Sequence, residues 1–137
     1  MNFHKKFILD KIPEQLTANI SADSKYWLYI NGKNVVFDGS VKRGPDKNSG
    51  YYDSIDIAPY LKEGENSICA LVWFWDNETS YSYSGSGQGG FLFEAIGDSI
   101  TIISDKSWKV KRNNAYIDSP LYPPNYRLTE YSIYFDA

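Results

Sequence analysis

The chain has 137 residues, of which 42% are hydrophobic, 23% charged and 17% aromatic (4 Trp, 12 Tyr and 7 Phe), with 14 Lys+Arg against 17 Asp+Glu for a formal charge of -3. That is one domain's worth of polypeptide, and its slightly acidic balance gives no field to gather nucleic acid or coat an anionic membrane. One cysteine (Cys69) and one histidine (His4) argue against an internal disulfide, a Cys/His zinc module and a Ser-His-Asp machine. No apolar run approaches ~20 residues, and the stretch from Met1 to Lys6 leads into a strand-like segment, so the expectation is a soluble piece with no signal peptide or transmembrane segment.

Taken in chain order, Phe3 to Ile12 reads as a first strand ending at the Ile12-Pro13 break. Leu16 to Ile30 reads as one alternating run, with Ala18, Ile20, Ala22, Tyr26, Leu28 and Ile30 on one parity. Asn31-Gly32, flanked by Tyr29-Ile30 and Val35-Val36-Phe37, predicts a tight hairpin, because both turn residues tolerate positive φ. A long Gly/Pro/Asp/Asn/Ser loop follows over residues 38–54, and then Tyr51 to Ile57 alternates again. A helical turn is expected around Pro59-Tyr60-Leu61. Ser67 to Trp75 is nearly all apolar and reads as a strand buried on both faces. A second polar, glycine-rich loop spans 76–90. Phe91 to Ile96 and Ser99 to Ile103 then form a strand pair, Trp108 to Lys111 a half-exposed strand, and Tyr131 to Phe135 a last one.

Short strands punctuated by turn signals every ~8–12 residues, with no helical period, predict an all-β, antiparallel β-sandwich or jelly roll over 1–137, with no internal boundary. Several stretches carry a finer resemblance: Ile20 to Lys33, then Tyr52-Asp53-Ser54-Ile55-Asp56-Ile57-Ala58-Pro59-Tyr60-Leu61 with Gly64-Glu65-Asn66. Val72-Trp73-Phe74-Trp75, Gly89 to Glu94, Ser107-Trp108-Lys109-Val110 and Tyr134-Phe135-Asp136-Ala137 complete it. Together they resemble the amino-terminal, galactose-binding-like β-sandwich of bacterial α-L-rhamnosidases. The Pro-Tyr-Leu…Gly-Glu-Asn part is shared with the sugar-binding jelly rolls of β-galactosidase-like enzymes, and the Trp-Lys-Val strand with the terminal Phe-Asp-Ala narrows it. The resemblance implies a fragment of a larger glycoside hydrolase whose catalytic acids lie in a separate helical barrel, so it carries over no catalytic residue.

The residues themselves nominate binding groups. Glycosidase chemistry needs two carboxylates ~5–10 Å apart. Asp53 with Asp56, Asp76 with Glu78, or Glu94 with Asp98 are the nominal pairs, but Asp53 and Asp56 border a strand and a turn, where Asp accepts backbone hydrogen bonds. Sugars stack their C–H faces on aromatic rings and need amide or carboxylate partners. Those types gather near the long loops, at Tyr51, Tyr52, Trp75, Asp76, Asn77, Glu78, Tyr81, Tyr83 and Gln88, and of these Tyr51, Trp75, Asp76, Asn77, Tyr81 and Tyr83 form the candidate carbohydrate set. Trp73, Phe91, Phe93 and Trp108 are read as core. Asp76-Asn77 and Asp46-Asn48 have the ligand types for a structural calcium, Asp76 being the metal candidate, although neither has EF-hand spacing. The Gly85 to Gly90 run lacks the Gly-Lys-Ser/Thr ending of a phosphate loop. Lys106, Lys109, Lys111 and Arg112 read as a solvated strand face.

The expected function is that of a non-catalytic accessory domain. Its partner would be the catalytic domain of the same parent chain, with loops 38–54 and 76–90 near the substrate cleft. The alternative is an autonomous carbohydrate-binding module for rhamnose-containing glycans, and a third reading makes the chain itself an enzyme. No cofactor is expected, a structural calcium being the one ion for which ligand types are present.

Overall fold

In the computed structural model, residues 1–41, 49–75, 89–118 and 133–136 are described. Among the described residues eleven strands follow one another: β1 (Asn2–Leu9), β2 (Thr17–Asp23), β3 (Lys25–Ile30), β4 (Lys33–Gly39), β5 (Asp53–Asp56), β6 (Gly64–Trp73), β7 (Gly90–Gly97), β8 (Ile100–Ile103), β9 (Lys109–Lys111), β10 (Tyr116–Asp118) and β11 (Ile133–Phe135). A 3-10 turn, Ala58–Tyr60, overlaps the helical turn expected around Pro59-Tyr60-Leu61. One sheet has the order β4-β3-β6-β1-β9, the other β5-β2-β7-β8, and β10 pairs with β11 in a separate ribbon. Every pairing is antiparallel. The all-β sandwich expected from periodicity is the fold observed.

Both sheets turn one face to a shared core. Ala18 and Ile20 of β2, Phe91, Phe93 and Ala95 of β7 and Ile102 of β8 meet Tyr26, Leu28 and Ile30 of β3 and Ile68, Ala70 and Val72 of β6 across it. Trp108 closes one end against Phe91 and Phe93, its indole N–H donating to the Ile103 carbonyl at 2.8 Å. The core assignment of these last three aromatics is therefore correct.

Two sequence expectations need revision, and one strand was not anticipated. The run Leu16 to Ile30 is two strands in different sheets, broken at Ser24, which is buried and accepts a 3.0 Å hydrogen bond from the Trp75 N–H. The parity of apolar residues passes through the break unchanged because each sheet's inner face looks into the same core, so periodicity alone could not reveal the corner. Strand β6 is not buried on both faces: Asn66, Ile68, Ala70 and Val72 point inward, while Ser67, Cys69, Leu71 and Trp73 are half-buried on the outer face. And β10 had no forecast, its three residues lying in a polar neighbourhood that gives no period to read.

The Asn-Gly hairpin joins β3 to β4 with φ of 50° at Asn31 and 79° at Gly32, the left-handed pair a two-residue loop of this kind demands. Asn31 does more than turn the chain. Its amide N–H groups donate to the Tyr60 carbonyl (2.9 Å) and to Asn66 Oδ1 (2.8 Å), and its own Oδ1 accepts from the Ser67 N–H (3.0 Å). Asn66, fully buried, also accepts from the Lys62 N–H and donates to the Lys62 and Gly64 carbonyls. The Asn-Gly and Gly-Glu-Asn stretches, 35 residues apart, are thus one hydrogen-bonded knot at an end of the sandwich.

Candidate ligand-binding site

Of the nominated carboxylates, Asp53 and Asp56 are structural. Asp53 Oδ2 accepts from the Tyr26 hydroxyl and from the Ser40 N–H, both at 2.9 Å, and Asp56 Oδ1 accepts from the N–H groups of Leu16 and Ala58. Burial, reinforced by the Asp53 charge and hydrogen bond, pushes the Tyr26 phenol above its ordinary pKa, so it stays a neutral donor. Glu94 lies on the exposed face of β7 and Asp98 in the turn after it. Asp76 and Glu78 lie outside the described residues. Among the described residues no group of three or more His, Cys, Asp or Glu is arranged to hold a metal ion. Asp46, Asn48, Asp76 and Asn77, the calcium candidates, lie outside that set, as do Tyr81 and Tyr83.

Of the candidate carbohydrate residues that are described, Tyr51 is accessible and Trp75 is not. Tyr51 is 53% exposed beside β2, its carbonyl accepting from the Ser21 hydroxyl at 3.2 Å. With Tyr52, Asn19, Ser21 and Glu94 it borders a broad, open depression on the outer face of the four-stranded sheet. Trp75 is 1% exposed, so its ring offers no face to a sugar. The even-numbered inward parity of β6 places Trp73 on the outer face, and beyond the strand the chain turns Phe74 outward and Trp75 inward. The two tryptophans thus exchange their expected places, Trp73 being the accessible one.

Trp73 belongs to a groove that sequence reasoning missed. In the pairing of β3 with β6, Lys25 faces Trp73 and Trp27 faces Leu71. These are the odd positions, opposite in parity to the core residues Tyr26, Leu28 and Ile30 of the same strand. The Lys25 ammonium lies 4.9 Å from the Trp73 ring centre and 6.0 Å from that of Trp27. It sits 3.1 Å from Asp38 Oδ1, which also accepts from the Trp27 indole N–H at 2.7 Å. A nearly buried ammonium is tolerated because a carboxylate and an aromatic face replace its water. Desolvation works to raise the Asp38 pKa, but the Trp27 hydrogen bond and then Lys25 prevail and hold it below the usual carboxylate range.

Aromatic rings extend the groove on both sides. Phe37 stacks on Trp27 with ring centres 5.0 Å apart and planes at 12°. Tyr116 of β10 meets Trp27 edge-on at 6.3 Å and packs on Phe135 of β11 at 4.9 Å. Between β3, the end of β6 and the segment leading into β10 is a cleft of about 420 Å³, lined among others by Lys25, Trp27, Trp73, Phe74, Arg112 and Tyr116. That volume lies within the span of small-molecule sites, as does the mix of apolar walls with a few polar groups. Arg112 stands exposed at one side, near the Met1 ammonium, which donates to the Val72 carbonyl at 2.7 Å. Burial and then Arg112 lower the pKa of that amine. The arrangement offers stacking surfaces and positive charge. Binding is within its reach, and no proton-transfer pair is assembled among the described residues.

No protein-family model and no curated protein matches the chain. Solved structures do. The α-L-rhamnosidase from Dictyoglumus thermophilum superposes with a TM-score of 0.60 at 23% identity, over 79% of this chain and 13% of its own. The Streptomyces avermitilis α-L-rhamnosidase complexed with L-rhamnose gives 0.56 at 21% identity, over 82% and 11%. The α-L-rhamnosidase from Aspergillus terreus gives 0.58 at 23%, over 78% and 14%. At these identities the likeness is one of fold. The chain has a β-sandwich fold that α-L-rhamnosidases contain, and it spans only 11% to 14% of the length of those solved chains.

Proposed function

We propose that the chain is a non-catalytic accessory domain of an α-L-rhamnosidase-like glycoside hydrolase, packed on the helical catalytic barrel of the same parent enzyme. The observation that carries this reading is the coverage: most of this chain corresponds to a small part of each rhamnosidase. The carboxylate chemistry agrees, since Asp53 and Asp56 are committed to holding backbone. So does the outer face of the four-stranded sheet, where Leu92 and Ile96 of β7 are 66% and 62% exposed in one row, the kind of apolar surface a neighbouring domain covers.

The purified chain should show no turnover of an aryl α-L-rhamnoside even at high protein concentration, whereas turnover would overturn the non-catalytic role. It should also co-elute with the helical barrel of its parent enzyme, and Leu92→Glu should break that association. A carbohydrate-binding module acting by itself is the second reading, favoured by the exposed Tyr51 beside Asn19, Ser21 and Glu94. Calorimetric titration with rhamnose and rhamnosides, with and without calcium, tests it. Binding abolished by Tyr51→Ala supports it, and flat titrations reject it.

A further inference from the structure

The groove over β3 and β6 has a charge pattern that the accessory-domain reading leaves unused. The chain as a whole is acidic, with a formal charge of -3. Its groove is lined instead by Lys25 and Arg112. Lys25 is engaged by Asp38 and by the Trp73 face. Arg112 makes no salt bridge among the described residues, and its guanidinium is exposed at the mouth. A guanidinium presents a planar fork matched to a carboxylate, and at the border of an aromatic-walled cleft that fork is only partly screened by water. Trp27, Trp73 and Tyr116 supply flat apolar walls that suit a ring with one C–H face.

We infer that this groove binds a carboxylate-bearing sugar ring, a hexuronate unit, with its carboxylate on Arg112 and its apolar face against the aromatic wall. The choice of a flat-bodied anion rests on the groove alone, and the choice of a sugar rests on the glycoside-hydrolase reading above. The cleft, at about 420 Å³, has room for a single sugar ring with its substituents. It is a different site from the depression beside Tyr51, which is on the other sheet.

The test is calorimetric titration of the chain with glucuronate, glucose and benzoate, at low and at raised salt. Glucuronate should bind, glucose should bind at least about tenfold more weakly, and the glucuronate affinity should fall as salt rises. Arg112→Gln should remove the preference for glucuronate over glucose, and Arg112→Lys should restore part of it, with melting temperatures unchanged because Arg112 is exposed. Equal binding of glucose and glucuronate would overturn the inference. So would binding of benzoate without glucuronate, an affinity indifferent to Arg112→Gln, or no glucuronate binding at all. None of those outcomes touches the accessory-domain reading, which stands or falls on rhamnoside turnover and association with the barrel.

Discussion

Strands β3 and β6 serve two polar clusters that invite comparison: the knot of Asn31 and Asn66 at one end of the sandwich, and the Lys25, Asp38 and Trp27 cluster on its outer face. In the knot, uncharged amides are packed away and most of their hydrogen-bonding capacity is met by backbone and by each other. In the cluster the groups are charged, Asp38 is in partial contact with water, and aromatic faces stand beside a cleft. A saturated network has nothing left to offer a ligand and serves to specify the fold. A cluster with charge and open aromatic surface retains binding capacity, and holding Lys25 in place costs the fold a desolvation that the pairing only offsets.

The sharpest way to break the comparison is to remove the centre of the knot. Asn66→Leu keeps the branched heavy-atom skeleton but removes the partner of one Asn31 amide N–H, of the Lys62 N–H and of two backbone carbonyls at a part-buried site. Several such groups together should cost about 3 kcal/mol, read as a lowered urea midpoint and a melting temperature down by roughly 10 °C. The groove should be unaffected if the protein is held below that melting point. A smaller loss is expected from Gly39→Ala at the end of β4. A Cβ there would overlap the Tyr26 ring, which lies across Gly39 and donates to Asp53. Moving the ring strains a packed core for about 2 kcal/mol. Because Asp38 is the next residue, this variant should also disturb the Trp27 environment, linking core and groove where Asn66→Leu does not.

The hairpin half of the knot was legible in the sequence, whereas its bond to Asn66 and the groove were not, for physical reasons. Asn-Gly must turn the chain whatever surrounds it, and alternation marks an inner face, so the hairpin, the sandwich and the core roles of Phe91, Phe93 and Trp108 could be read directly. Trp27, Trp73 and Lys25 gave no such sign. Their importance comes from register across β3 and β6, a relation between strands some 46 residues apart that no local pattern encodes. Trp73 and Trp75 share a parity in the sequence, and the end of β6 between them reverses which one is accessible. Arg112 looked like one more cation on a solvated strand face. Exposed it is, but the approach of β10 to Trp27 makes its position a groove mouth.

The smallest expected effect lies in acid, and it separates the outer cluster from the other carboxylates. Trp27 and Lys25 hold the folded Asp38 pKa below its ordinary value of 3.8 despite the opposing desolvation. The stability this confers is therefore complete above 3.8 and is lost as the pH falls through the lower folded value. Because the Asp38 side chain is 41% exposed, screening keeps the contribution below about 1 kcal/mol. Glu65, held down by Lys6, and Asp105, held down by Ser107, titrate in the same direction, so a global unfolding curve would mix all three. The part of the tryptophan fluorescence that is lost in Trp27→Phe isolates the cluster, since the Trp27 indole N–H bonds to Asp38 itself. Acidification below 3.8 should change that signal before the protein unfolds. In Asp38→Asn the amide oxygen still accepts from Trp27 but does not titrate, so the acid step in fluorescence should vanish while the folded spectrum at neutral pH stays close to that of the unaltered chain. A step that persists in Asp38→Asn would mean that the environment of Trp27 is governed by groups other than Asp38, and that the outer cluster is as rigid as the knot.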